Sequence, residues 1–148
     1  MGLDDVVIVG MAETDLGVVT DRGPMELGVQ ATKLALDDAG LDLRAIDGLI
    51  TCNSLVHPVM YHAEATAEYL GIEPRHCLSV GTGGGTTFTA LRYAAAAIQT
   101  GMAHTVVVSM ADSMRSFMTR ERAMIVQASS GHPLYEQPYG PTVPAYYA

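Results

Sequence analysis

The sequence is poor in charged residues, in cysteine and in long apolar runs. Charged residues make up 16% and apolar residues 49% of the 148 residues, a balance that excludes a disordered chain and suffices for a core. The net charge is −8 and no basic segment occurs, which argues against a surface for nucleic acid or anionic membranes. No stretch approaches the roughly 20 apolar residues that a membrane span needs.

The cysteines and histidines point to no metal and no disulfide framework. Cys52 and Cys77 stand far apart without a Cys-x-x-Cys pair. The histidines show no spacing that would put a pair of ligands on one helix face. The N-terminus, with Asp4, Asp5 and a short apolar run, is not a signal peptide. We therefore expect a single domain, or a large part of one, in a reducing cytoplasmic compartment.

Apolar runs and helical repeats alternate along the chain, which predicts an α/β fold with a parallel sheet. The predicted strands are residues 6–9, 46–52, 77–80 and 105–110. The predicted helices begin at Pro24, Tyr61 and Thr86, and each ends near a glycine. The alternation fails after Ser116. We therefore divide the chain into an α/β core, residues 1–116, and the start of an irregular surface region, residues 117–148.

A glycine-rich turn at residues 81–85 is the most informative stretch. It follows a predicted strand and opens directly into the third helix, and four of its five residues are glycine. Glycine permits positive φ and close approach of another group. The free N–H groups and the dipole of the helix point back at the turn, which suits an oxyanion, a thioester carbonyl or a phosphate. A plain strand–helix turn is the alternative.

The third helix is apolar around most of its circumference, with only Arg92, Tyr93 and Gln99 as polar breaks. Such a helix is normally covered on more than one side. The sheet covers one side, so another chain or a second half of the protein has to cover the other. The alternative is that alanine is simply a good helix former. The apolar residues are Ala90, Leu91, Ala94, Ala95, Ala96, Ala97 and Ile98.

Four segments, taken in order, resemble the thiolase superfamily and, within it, the sterol-carrier-protein or lipid-transfer-protein type. They are Val7 to Thr14, Gly81 to Ile98, Val106 to Met114, and Tyr135 to Pro141. The resemblance implies a five-layered α-β-α-β-α fold made of two similar halves, with the glycine-turn helix in the central layer. This chain would be the N-terminal half and the start of an inserted loop region, and we expect it to be truncated at Ala148.

The resemblance also implies a function and a site. Family members are usually homodimers that make or break carbon–carbon bonds in acyl-CoA thioesters. The position of the family's nucleophilic cysteine is occupied here by Gly84, which has no side chain to acylate. The catalytic residue is therefore unknown. The residues expected to bind the substrate are Gly83, Gly84, Gly85, Thr86, Met110 and Ser113.

The missing cysteine favours one branch of that chemistry. Some members without it cleave β-hydroxyacyl-CoA thioesters by a retro-aldol reaction, together with a small partner that carries an OB-fold and a zinc ribbon. We interpret Cys52 and Cys77 as small buried apolar residues and His132, in a Gly-His-Pro triplet, as a loop residue. The tyrosines near the C-terminus are expected to pack against a partner. They are Tyr135, Tyr139, Tyr146 and Tyr147.

Three functions stay open from the sequence. The first is part of an acyl-CoA enzyme, either an acyltransferase or an aldolase. Its substrate would be a coenzyme A thioester, and we expect no tightly bound cofactor and no metal. This chain alone would be inactive. The second is a non-catalytic thiolase-like subunit that pairs with another chain. The third is a dinucleotide-binding domain, which is disfavoured because Thr86 stands where the third glycine of that motif belongs.

Overall fold

The computed structural model describes residues 5–123, and these form a three-stranded sheet with helices on both faces. The predicted helices and three of the four predicted strands are present, with bounds that differ from the prediction by one or two residues. No helix in this part of the chain is long and apolar enough to cross a membrane. In chain order the elements are α1 (Pro24–Ala39), β1 (Gly48–Thr51), α2 (His62–Leu70), β2 (His76–Ser79), α3 (Thr86–Gln99), β3 (Val106–Ser109) and α4 (Met114–Phe117).

The sheet is parallel and its strand order is β2-β1-β3. Side chains of successive strand residues point to opposite faces, so the central strand β1 serves two cores. Leu49 packs with Ala67 and Leu70 of α2, whereas Ile50 packs with Ala90 and Ala94 of α3. Leu49 and Ile50 are fully buried. The sheet is therefore covered by α1 and α2 on one face and by α3 on the other.

The bounds of α1 follow from its sequence. Pro24 occupies the first helical position, where its missing N–H costs nothing. Glu26 reaches back to accept a hydrogen bond of 2.7 Å from the N–H of Gly23. Gly40 ends the helix with φ of 65°, a left-handed conformation that favours glycine. These local signals explain why α1 could be predicted closely.

The predicted first strand, residues 6–9, is wrong for the described part of the chain. Residues 6–10 carry no strand pairing, and Val7 and Ile8 are 73% and 74% exposed. The segment nevertheless runs close to α1, because a Cβ on Gly10 would clash with the carbonyl of Ala35 and with Ala39. A strand needs a hydrogen-bonded neighbour, and none is present at this position between residues 5 and 123.

The helix α3 is covered on one side only by the described residues. Ala90, Ala94 and Ala97 are buried toward the sheet, whereas Phe88 is 74% and Tyr93 50% exposed. The second covering layer predicted for this helix is therefore not supplied by residues 5–123. The chain after Ser116 continues with the end of α4 and with helical residues 120–123, where one helical turn was predicted around Arg120, Glu121 and Arg122. The division at residue 116 stays a prediction, because residues 124–148 lie outside the described part.

Candidate active site

The glycine turn lies between the end of β2 and the start of α3. Gly83–Gly85 form one 3-10 turn, and Gly83 has φ of 64°. A Cβ added at Gly83 or Gly84 would meet no atom within 4 Å. The two positions differ in backbone conformation, because only Gly83 is left-handed. The exposed glycines of the turn therefore face open space rather than a cleft formed by residues 5–123.

The buried side chain of Thr86 stabilises this turn through hydrogen bonds. It is 6% exposed, and its Oγ1 donates a hydrogen bond of 2.6 Å to the carbonyl of Gly83 and accepts one of 3.0 Å from the N–H of Thr82. Next to it, Thr89 Oγ1 donates to the carbonyl of Gly85 at 3.1 Å. The hydroxyl of Thr86 thus holds the turn together. Among the four turn residues predicted to bind substrate, only the three glycines are exposed to solvent.

Neither cysteine lies at the turn. Cys77 is half-buried within β2 and packs beside Leu49 and Leu70, and burial followed by the nearby charge of Glu64 raises the pKa of its thiol. Cys52 follows β1, and burial followed by the charge of Asp112 raises its pKa as well. A raised pKa keeps both thiols protonated near neutral pH, which disfavours nucleophilic attack. Both residues are half-buried rather than fully buried as predicted.

Met110 and Ser113, the other two predicted site residues, line a cavity of about 270 Å³. It lies at the carboxyl end of β3, between α1 and residues 12–17, and we call it the β3 cavity. Ser113 is 6% exposed and its Oγ has no hydrogen-bond partner in the described structure. Thr87 Oγ1 donates to Met110 Sδ at 3.5 Å, so Met110 joins the first turn of α3 to this cavity. The structure thus divides the six predicted residues between two adjacent places.

Asp112 is a residue that the sequence analysis missed. Its Oδ1 accepts hydrogen bonds from Ser54 Oγ at 3.0 Å and from the N–H of Ser113 at 2.8 Å, and its Oδ2 accepts one of 2.7 Å from the N–H of Leu55. The carboxylate thereby ties the loop after β1 to the loop after β3. Adjacent parallel strands bring their carboxyl ends to one edge of the sheet, and a polar residue after each strand was the available signal.

His62 was also missed, because its neighbours come from three elements. It is 6% exposed, and its Nδ1 lies 3.2 Å from Thr51 Oγ1, which lies 3.4 Å from Ser79 Oγ. Burial lowers the pKa of His62, and the charge of Asp112 opposes this effect. Ser109 Oγ donates a hydrogen bond of 3.2 Å to the carbonyl of Gly28. Each of the three strands therefore ends in a hydroxyl residue: Thr51, Ser79 and Ser109. These hydroxyls form a polar layer at the carboxyl edge of the sheet.

Of the remaining histidines and tyrosines considered above, the structure describes some and not others. His104 lies at the opposite edge of the sheet, where its Nδ1 is 2.8 Å from Asp47 Oδ2. Between residues 5 and 123, no three histidine, cysteine, aspartate or glutamate side chains are close enough to hold a metal ion. His132 and the tyrosines Tyr135, Tyr139, Tyr146 and Tyr147 lie outside the described residues.

Comparison with solved structures places this arrangement among known folds. No protein-family model matches the chain. The Ltp2-ChsH2(DUF35) aldolase superposes with a TM-score of 0.70 at 29% sequence identity, over 95% of this chain and 35% of that one. A monomeric SCP2-thiolase-like protein of type 1 from Mycobacterium smegmatis superposes with a TM-score of 0.57 at 23% identity, over 70% of this chain and 22% of that one. The fold is thiolase-like.

Two curated proteins with similar sequences are named for an activity. The steroid side-chain-cleaving aldolase of Thermomonospora curvata is 32% identical over 109 residues, 74% of this chain and 27% of that protein. The 17-hydroxy-3-oxo-4-pregnene-20-carboxyl-CoA lyase of Mycobacterium tuberculosis is 34% identical over 111 residues, 75% of this chain and 28% of that protein. The chain therefore spans about a quarter of the length of these relatives.

Proposed function

We propose that the chain is the N-terminal part of a thiolase-like acyl-CoA enzyme that cleaves a carbon–carbon bond by a retro-aldol reaction. The observation that carries the proposal is the similarity to two relatives named for aldolase and lyase activities. The resemblance to thiolases, which aligns Gly84 with their nucleophilic cysteine, agrees with it. One of those names specifies a carboxyl-CoA substrate. The substrate class proposed here is a β-hydroxyacyl-CoA thioester.

This reaction fits a site without a thiol. A base removes the proton of the β-hydroxyl group, the bond between Cα and Cβ breaks, and Cβ leaves as a carbonyl. The electrons of the broken bond form a thioester enolate, which is protonated at Cα. No acyl group is transferred to the protein, so Gly84 is no obstacle, and the stabilisation needed is that of a negative thioester oxygen. The N–H groups of the exposed residues Gly84 and Gly85 are our candidates for that role.

The general acid and base are expected outside residues 5–123. The two thiols have raised pKa values, and His62 is buried among hydroxyls behind the sheet edge. We propose that these groups come from another part of a longer protein or from a partner chain. A partner with an OB-fold and a zinc ribbon, and a homodimer, are both candidates. The similarity to the Ltp2-ChsH2(DUF35) aldolase supports a requirement for a second chain.

The experiment that tests this function is a chimera. In the Thermomonospora curvata aldolase, the segment that aligns with this chain is replaced by the corresponding residues of this chain. The chimera is incubated with the substrate of the parent enzyme, and the carbonyl product and the shortened CoA thioester are quantified. We expect cleavage within about tenfold of the parent. A folded chimera that releases neither product would contradict the proposal.

A companion variant tests the alignment of Gly84. Since a Cβ at this position meets nothing within 4 Å, Gly84→Cys can be introduced into the chimera without a steric clash. A thiol at the N-terminus of α3 has a lowered pKa and becomes nucleophilic. Incubation with acyl-CoA is then expected to add one acyl mass at position 84. The matched control is Gly81→Cys, which is equally unobstructed but lies further from the helix.

A second function is favoured by a specific observation, the exposed outer side of α3. Phe88 and Leu91, three residues apart on one side of the helix, are 74% and 37% exposed. A non-catalytic subunit that pairs with another chain through this surface is the alternative. Its test is the molar mass of the purified chain by light scattering. A monomer at every concentration, with no binding to the rest of a relative, would count against it.

A further inference from the structure

We propose that residues 138–144 of this chain bind to the exposed side of α2, as an extended proline-rich segment packed against Tyr61 and Tyr69. The contact joins a surface within the described structure to a segment that lies outside the described residues. It involves no acyl-CoA substrate and no cleavage of a carbon–carbon bond. The proposal therefore goes beyond the proposed function and does not depend on it.

The surface on α2 is one row of three side chains. Tyr61, Ala65 and Tyr69 follow one another at intervals of four residues, and the N–H of Ala65 donates to the carbonyl of Tyr61 at 2.9 Å, as in a helix. Tyr61 and Tyr69 are 66% and 65% exposed, whereas Ala65 is half-buried. Eight helical residues span about 12 Å. The small alanine therefore leaves a gap between two exposed aromatic rings, which we call the α2 notch.

The helix that carries the α2 notch is fixed to the sheet. Its opposite side is buried, with Ala67 and Leu70 packed against Leu49 of the central strand. Its first turn is held by Ser79 Oγ, which accepts a hydrogen bond of 3.1 Å from the N–H of Ala63. A tyrosine ring has only two side-chain torsions to fix on binding. A partner of the α2 notch therefore gains aromatic contact area with little ordering of the protein.

The segment that fits the α2 notch has proline at every third position, at Pro138, Pro141 and Pro144. A polyproline II helix has three residues per turn and rises about 3.1 Å per residue, so the three prolines would share one side, about 9 Å apart. Segments with this Pro-x-x-Pro spacing dock against exposed aromatic side chains. With Pro141 over Ala65, the other two prolines would pack against the outer faces of the two tyrosine rings.

Charge and chain length agree with this occupant. Glu64 and Glu68 are exposed beside the α2 notch and disfavour an anionic partner, and residues 138–148 contain no charged side chain. Fifteen residues lead from Ala123, the last described residue, to Pro138. They can extend to about 50 Å, which exceeds the roughly 30 Å across a small domain. Because a tethered segment has an effective concentration in the millimolar range, a weak contact is sufficient.

Nuclear Overhauser effects (NOEs) in the 148-residue chain test the contact. We expect NOEs from the Pro141 ring protons to the rings of Tyr61 and Tyr69, whose signals are identified with Tyr61→Phe and Tyr69→Phe. These NOEs should persist on dilution, because the segment is tethered. The absence of NOEs to either ring, or NOEs to Phe88 and Tyr93 of α3 instead, would overturn the proposal and leave the α2 notch to another protein. NOEs that vanish on dilution would assign the contact to a second copy and would overturn it as well.

Two matched pairs of variants locate the contact. Pro141→Ala removes the central proline and should abolish the NOEs from the other two prolines, whereas Pro133→Ala, outside the three-residue repeat, should retain them. Ala65→Gln fills the α2 notch without adding charge and should abolish the NOEs, whereas Ala96→Gln at an exposed position of α3 should not. NOEs retained in both Pro141→Ala and Ala65→Gln would refute the site. Since none of these changes lies in the glycine turn, the result is independent of the chimera experiment.

Discussion

Among single residues, Asp47 carries the clearest pH-dependent contribution to stability. It precedes β1, and its carboxylate accepts hydrogen bonds from the N–H groups of His104 and Thr105 at 2.7 and 2.8 Å, in addition to the contact with the His104 ring. Burial raises the pKa of Asp47, but the backbone bonds from Thr105 and His104 and the His104 side chain outweigh this effect and lower it to about 2. The carboxylate therefore joins the start of β1 to the start of β3.

A carboxyl group with a lowered pKa stabilises the fold above its unfolded pKa and loses this contribution as the pH falls through the folded value. For Asp47 the window runs from about pH 4 to about pH 2. We expect the free energy of unfolding, measured with urea, to fall by about 2 kcal/mol across it. Asp47→Asn should lose most of this dependence, whereas Glu73→Gln, at an exposed carboxylate, should retain it. An unchanged slope in Asp47→Asn would contradict the assignment.

His62 contributes in a different pH window. Burial lowers its pKa, so the unfolded chain takes up a proton at a higher pH than the folded one. Stability should therefore decrease as the pH falls below about 6.5, the value for an unperturbed histidine. His62→Asn keeps a polar atom near Thr51 and should flatten the urea-unfolding profile between pH 5 and 7. The exposed His57→Asn is the control and should leave that profile as it is in the unmodified chain.

Gly83 and Gly84 of the turn differ in backbone conformation, and this should give them different effects on stability. Gly83 has φ of 64°, so Gly83→Ala should destabilise the chain by about 1 kcal/mol. Gly84 has no positive φ and no neighbour within 4 Å of an added Cβ, so Gly84→Ala should change the free energy of unfolding by less than about 0.5 kcal/mol. Urea unfolding of both variants measures the difference. A cost at position 84 equal to that at position 83 would show that both are needed for folding.

At the scale of the elements, α3 has one packed side and one bare side. Ala90 is fully buried against Ile50, whereas Ala96 on the same helix is exposed. The same substitution at the two positions should therefore have different effects. Ala90→Leu overfills the core and should cost about 1–3 kcal/mol, while Ala96→Leu should be close to neutral. Thermal and urea unfolding of the two variants compare them directly, and equal costs would mean that the helix is covered on both sides.

The elements also explain which parts of the fold could be predicted. The bounds of α1 follow from Pro24 and Glu26 at its start and from Gly40 at its end, each of which acts on residues a few positions away. The segment at residues 6–9 has the composition of a buried strand, but composition carries no information about a neighbouring strand. Whether such a segment pairs depends on residues far away in the sequence, and none of residues 5–123 pairs with it.

The same reasoning applies to the candidate site. The glycine turn was predictable because its strand, turn and helix are consecutive in the sequence. Asp112 and His62 were not, because their partners come from other elements: Ser54 is 58 residues from Asp112, and Thr51 is 11 residues from His62. Ser113 was predicted as a binding residue, but only the folded chain shows that its hydroxyl is buried without a partner among the described residues.

At the scale of the whole molecule, two of the regions in residues 5–123 that expose apolar side chains lie apart from each other. One is the outer side of α3, where Phe88 and Leu91 are one helical turn apart, and the other is the N-terminal segment with Ile8 and Met11, which are 74% and 79% exposed. Exposed apolar patches of this kind usually mark contact surfaces. The chain spans about a quarter of its relatives' length, and a longer protein has enough residues to cover both regions.

The two regions should differ in how they drive association. The side chains on α3 are held by a helix that is anchored in the core through Ala90 and Ala94, so a partner gains contact without ordering the backbone. The N-terminal segment pairs with no strand among residues 5–123 and would lose conformational entropy on binding. Phe88→Ser with Leu91→Ser should therefore weaken self-association of the chain, measured by sedimentation, by at least tenfold. Ile8→Ser with Met11→Ser, which removes at least as much exposed apolar surface, should weaken it less. The reverse order would assign the main contact to the N-terminal segment.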